Sequence, residues 1–177
     1  LLMVVVGFTV PLFNLGGNSD SPQYVEPRLC QADADCYLTC NEEPAAVLCS
    51  QNLCQRNACA EPELFSYTRE PVPIQLSVNL NGTTLDLASR SNAKDLFVKF
   101  AGGEAQLYSQ LSLVHILEKA GLALRGNCIV MDGVQYCTAK EKELKILVNG
   151  EQSFDEYVPQ QGDNVKNIIA LGLIGLL

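Results

Sequence analysis

The chain has no tryptophan and one histidine, His115. It has no Cys-x-x-Cys pair and no cluster of Lys or Arg; its 12 basic residues face 20 acidic ones. Each absence removes a class of function. Phosphate binding needs clustered cations, and the net charge of −8 opposes it, so no nucleic-acid partner is expected. The acidity reads as a solubility feature. A zinc site lacks its usual close Cys or His pairs, and no iron–sulfur run is present. Neither a metal nor a cofactor is expected.

Nucleophilic catalysis needs a nucleophile, a base and a group that orients the base. His115 reads as a surface residue of a helix. Ser91-Asn-Ala-Lys94 fits Ser-x-x-Lys, but the companion Ser-Asp-Asn and Lys-Thr-Gly elements are missing. Gly102-Gly103 sits in a hairpin turn without the context of a phosphate loop. Asp155-Glu156 lies in a polar loop. The protein is therefore not expected to be an enzyme.

Long apolar runs are also scarce. Residues 1–15 are nearly charge-free, but a spanning helix needs about 20 apolar residues. The chain does not begin with Met, and the first reading of this run is the end of a truncated membrane helix. A signal-peptide remnant is the second. The third is an apolar strand that pairs with a neighbouring subunit, given the β-branched Val4-Val5-Val6 and Thr9-Val10. Residues 16–29 read as a linker.

Cysteine is abundant. Six of the eight cysteines, Cys30, Cys36, Cys40, Cys49, Cys54 and Cys59, fall in one short stretch. Residues 30–60 hold few large apolar side chains, so disulfides must replace a core there. The spacing leaves their pairing open. Cys128 and Cys137 flank Asp132-Gly133. A two-residue hairpin loop puts them opposite each other at a non-hydrogen-bonded site, with Cα atoms about 4.5 Å apart. That lies at the short end of the span a disulfide accepts, about 4.4–6.8 Å, and predicts a Cys128–Cys137 bridge. Asp33 and Asp35 lack the rest of a calcium loop and are expected to be solvated loop acids.

Residues 74–171 carry regular patterns. Ile74, Leu76, Val78 and Leu80 alternate up to Asn81-Gly82, then Leu85 and Leu87 follow. This predicts a hairpin with Val78 opposite Leu85 and Leu76 opposite Leu87. Asn81-Gly-Thr83 also matches a glycosylation sequon, although a turn alone explains the same residues. A second hairpin around Gly102-Gly103 sets Phe100 opposite Ala105 and Val98 opposite Leu107. A short helix follows, with Ser112 as cap, Leu113, Ile116, Leu117 and Ala120 as its apolar stripe, and Gly121 as its end. Leu144, Ile146 and Val148 form a strand ending at Asn149-Gly150, and Val165–Leu171 forms the last one. The expected fold is an α+β roll with one helix packed on a mixed sheet.

Leu113-Val-His-Ile-Leu-Glu-Lys-Ala-Gly121, Leu147-Val-Asn-Gly-Glu151 and Tyr157-Val-Pro-Gln-Gln-Gly-Asp-Asn-Val165 carry a resemblance. Over residues 96–171 the chain resembles the β-grasp superfamily. It is most similar to the ligand-binding transcobalamin-like C-terminal domains and related surface domains. The resemblance implies a β-grasp fold and a binding role. The aromatic ligand contacts of those domains cannot be placed on this chain, and the free terminal Gly-Gly of the sulfur carriers is not matched by Gly172–Leu177.

The leading expectation is a non-catalytic, membrane-anchored extracytoplasmic surface protein that binds through residues 74–171. An alternative is a structural subunit of an extracellular assembly, in which residues 1–15 and the apolar tail 172–177 contact copies of the same chain. A third is metal or redox handling by the Cys30–Cys59 cluster.

Overall fold

The computed structural model describes residues 25–138 and 142–171. The apolar run 1–15, residues 16–24 of the linker and the tail 172–177 lie outside the described residues. In chain order the strands are β1 (Leu38–Cys40), β2 (Glu43–Ala45), β3 (Cys49–Ser50), β4 (Leu53–Cys54), β5 (Val72–Leu80), β6 (Thr83–Thr84), β7 (Val98–Ala101), β8 (Glu104–Leu107), β9 (Leu122–Arg125), β10 (Cys128–Met131), β11 (Val134–Cys137), β12 (Lys142–Val148), β13 (Glu151–Gln152) and β14 (Asn164–Leu171). A 3-10 turn at Asp33–Cys36 precedes β1, another at Ala88–Arg90 follows β6, and helix α1 (Leu113–Lys119) lies between β8 and β9. The fold is α+β, with one α-helix among the described residues.

The main sheet runs β13-β12-β14-β5-β8-β7, with β6 paired to β5. Its centre is the parallel pair β5 and β14, in which Leu76 faces Val165 and Val78 faces Asn167. The other pairings of this sheet are antiparallel. Turn chemistry explains the hairpins. Asn81 and Gly82, Asp132 and Gly133, and Asn149 and Gly150 all have positive φ, as a two-residue loop matched to strand twist requires. Gly82, at φ +84°, occupies a conformation that a side chain strongly disfavours.

The hairpin around Gly102-Gly103 sets Phe100 opposite Ala105 and Val98 opposite Leu107. The Asn81-Gly82 hairpin is shorter than its alternation predicts. Leu85 N still donates to Val78 O at 2.9 Å, but the chain then leaves the sheet for the Ala88–Arg90 turn. Leu76 is not opposite Leu87. Its N–H donates to Gly103 O at 3.0 Å, because β8 takes the edge of β5 that the hairpin vacates. Leu87 is nevertheless buried.

Helix α1 buries Leu113, Ile116 and Leu117, with Ala120 behind them, and Gly121 ends it at φ +73°. Ser112 does not cap it. The Ser112 hydroxyl bonds His115 Nδ1 at 2.8 Å, while Leu113 N and Val114 N donate to the main-chain oxygens of Tyr157 and Asp155. The loop after β13 thus satisfies the helix start that a serine oxygen was expected to serve. These helical side chains share one core with Ile74, Leu76, Val78, Phe97, Val98, Phe100, Ile146, Val148 and Val165. Strands β9, β10 and β11 form a separate three-stranded sheet attached through α1 and Ile129.

Ahead of the main sheet lies a small module of two hairpins, β1-β2 and β3-β4. Its own core is Cys30, Cys36, Val47, Cys49 and Cys54, so four of its five members are cystine halves. Arg28 and Leu29 belong to it structurally: Arg28 N donates to Asn57 Oδ1 at 2.8 Å, and Leu29 bridges to Leu53. Both hairpins turn through residues with positive φ that are not glycine, Asn41-Glu42 and Gln51-Asn52.

Candidate functional site

All eight cysteines are paired. Cys30 joins Cys49, Cys36 joins Cys54, Cys40 joins Cys59, and Cys128 joins Cys137. In the module the order is first to fourth, second to fifth and third to sixth, so the three loops overlap. Cys128 and Cys137 face each other across β10 and β11 with Cα atoms 4.0 Å apart. The sulfurs of Cys30, Cys36 and Cys54 lie within 4.8 Å of one another, as members of two neighbouring disulfides.

The module docks on the last turn of α1. Leu48 leaves it to enter the main core. Beside Leu48, Glu118 accepts from Ser50 Oγ at 2.7 Å and from Gln51 N. The second bond holds the β3-β4 turn where its φ is positive. Lys119 reaches further in. Its Nζ lies 2.5 Å from Asp33 Oδ1, 2.8 Å from Cys49 O and 3.2 Å from Asp95 Oδ1.

Asp33 is the centre of the contact, and its placement overturns the expectation of a solvated loop acid. The residue is fully buried. Its Oδ1 accepts from Cys49 N at 2.9 Å, and its Oδ2 from Leu96 N at 2.8 Å and Phe97 N at 3.2 Å. Asp33 N in turn donates to Asp95 Oδ1 at 3.4 Å. A buried carboxylate persists only when paired and hydrogen-bonded, and Asp33 is both. Asp35, two residues on, is exposed and accepts from Gln31 N and Ala32 N, which hold its carboxyl below the ordinary value. For Asp95, desolvation pushes the carboxyl above the ordinary value; Lys119 opposes this and Asp33 adds to it.

His115, expected at the surface, is half-buried against the edge of Phe65 at 5.0 Å, and burial lowers its pKa. Phe65 lies in the segment between module and sheet. That segment is also held by Tyr67, which stacks on Tyr108 and meets Phe97 edge-on. Ser91 Oγ accepts from Phe100 N, a structural bond that keeps the hydroxyl on the edge of β7. Asn81 is exposed at its turn.

The remaining polar cluster joins the turns at the far end of β12 and β14. Asp163 accepts from Asn149 Nδ2, Tyr157 Oη and Gln160 N, each at 2.8 Å. These bonds, the Gln160 N–H first, hold its carboxyl below the ordinary value, and the same pairing raises the Tyr157 phenol. Asn149 of the Val-Asn-Gly-Glu stretch and Tyr157, Gln160, Asp163 and Asn164 of the Tyr…Gly-Asp stretch thus bind one another. A cleft of about 190 Å³ lies between β9 and β12, lined by Leu124, Leu144, Ile146, Gln152 and Asp155 among others. It is smaller than the ~300–1,000 Å³ typical of small-molecule sites.

Sequence reasoning missed Asp33, Asp95, Glu118 and Lys119. The available signal was slight: Lys119 adjoins the buried stripe at Ile116 and Ala120, where a lysine stem is covered. No family model matches the chain, and comparison with characterised proteins and with solved structures finds no match.

Proposed function

We propose that this is a non-catalytic, membrane-anchored extracytoplasmic surface protein that binds its partner through an exposed face of a β-grasp-like domain. The observation that carries the placement is the pairing of all eight cysteines in four disulfides, which persist in oxidising compartments. The β-grasp assignment draws support from the sheet. Its first long strand, β5, and its last, β14, lie side by side and parallel at the centre, with α1 packed in the same core. The small size of the cleft between β9 and β12 favours binding through a face over binding in that cleft. The membrane anchor is residues 1–15, and Asn81 is the candidate glycan acceptor of a secretory route.

Intact mass after alkylation under denaturing conditions, with and without prior reduction, tests the placement. The expected result on protein isolated from its native source is no alkylation before reduction and eight sites after it. Substantial alkylation before reduction would sink the extracytoplasmic reading and favour metal or redox handling by the Cys30–Cys59 cluster.

A further inference from the structure

None of the four disulfides joins the cysteine module to the main domain. Three close within residues 30–59, and the fourth closes within the β10-β11 hairpin. The side chains of Lys119, Asp33 and Asp95 cross that boundary, and none is more than 7% exposed. We propose that Lys119 and Asp33 condense into an intramolecular isopeptide bond, with Asp95 as the catalytic proton carrier.

The geometry supplies each part the reaction needs. Lys119 Nζ is held 2.5 Å from a carboxyl oxygen of Asp33, in a site that pre-orders both reactants. Leu96 N and Phe97 N point at Oδ2, where negative charge collects as the carbonyl carbon becomes tetrahedral. Asp95 Oδ1 lies 3.2 Å from Nζ, within reach of the protons that must move. The charge count favours the same chemistry. Two carboxylates and one ammonium leave a buried site one positive charge short of neutrality, and desolvation raises the affinity of Asp95 for that proton. Lys99 does not supply the missing charge at the carboxylates, because its ammonium is bonded to the main-chain oxygens of Asn92, Ala93 and Asp95.

The step balances without an oxidant or cofactor. The Lys119 ammonium passes a proton to the Asp33 carboxyl, and its free amine attacks Cγ. Asp95 gives its proton to the departing Oδ1 hydroxyl and takes one from the nitrogen. The Cγ–Oδ1 bond breaks, one water leaves, and Oδ2 remains as the amide oxygen on the N–H groups of Leu96 and Phe97. Asp95 ends as it began. The product replaces a buried ion pair, whose desolvation is costly, with a neutral amide. It also ties the module to the helix by a bond that reductants do not break.

The test is the mass of the full chain, reduced and alkylated, followed by tandem mass spectrometry of a protease digest. The expected result is a chain lighter than its sequence mass by one water, with a branched peptide joining Asp33 to Lys119. Lys119→Arg keeps the cation but loses the nucleophile and should show its full sequence mass. Asp95→Asn should reduce the cross-linked fraction from near-complete to undetectable in chains that still fold by circular dichroism. A wild-type chain at full sequence mass would overturn the proposal. So would a water loss that maps elsewhere, such as an aspartate cyclised onto its own main chain. The wild-type digest decides between these outcomes whether or not the variants fold.

Discussion

Asp33 and Asp35 stand two residues apart in a polar loop, yet one is fully buried and the other exposed. The difference comes from partners distant in sequence. Cys49, Leu96, Phe97 and Lys119 converge on the Asp33 carboxylate, while the Asp35 carboxylate bonds only Gln31 N and Ala32 N of its own turn. Removing Lys119 should therefore be severe. Lys119→Met leaves the Asp33 carboxylate buried with neither an ion-pair partner nor a nucleophile to join, and should cost at least about 3–5 kcal/mol in urea unfolding under non-reducing conditions. Lys145→Met, which breaks the exposed pair with Glu143, should cost about 0–1 kcal/mol in the same assay. Asp163 sets an acid limb. Its folded pKa lies below the unfolded value, so its contribution is full above the ordinary carboxylate range. That contribution is lost as pH falls through that range toward the lower folded value. Urea midpoints of wild type and Asp163→Asn, compared at neutral pH and at about pH 3, should converge on acidification. A gap that stays constant would rule out the linkage.

Elements with turn signals at both ends were legible in the chain. Asn-Gly and Asp-Gly specify two-residue loops, which fix register, and register fixes which side chains meet. That is why Cys128 lies opposite Cys137, and Phe100 opposite Ala105, as the spacing implies. Where no glycine marked the turn, the pattern failed. The hairpins at Asn41-Glu42 and Gln51-Asn52 place ordinary residues at positive φ and are held there by disulfides and by Glu118. β9 was also missed as a strand, because Leu122–Arg125 is too short to show a period. The β10-β11 bridge closes a small loop and should act locally. Cys128→Ser with Cys137→Ser should cost about 2 kcal/mol, seen as faster amide exchange in β9–β11 with β5 and β14 unchanged.

The whole molecule combines two sources of stability. The main domain has a continuous apolar core, whereas the module relies on cystines and on its seat against α1. Reduction should therefore divide them: amides of residues 28–59 should lose exchange protection in dithiothreitol, while those of β5, β8 and β14 keep it. Equal loss in both would show that the seat on α1 is needed by the main domain as well. Periodicity, turn residues and cysteine count determined by themselves the α+β class, the registers of the Gly102-Gly103 and Asp132-Gly133 hairpins, the helical stripe and a disulfide-stapled module, because each depends on neighbours close in sequence. Only the tertiary structure decided the pairing of the six clustered cysteines, the parallel union of β5 with β14, and the burial of Asp33 beneath Lys119. Those depend on residues that meet only when distant segments pack, where an interior intolerant of unpaired charge selects one arrangement.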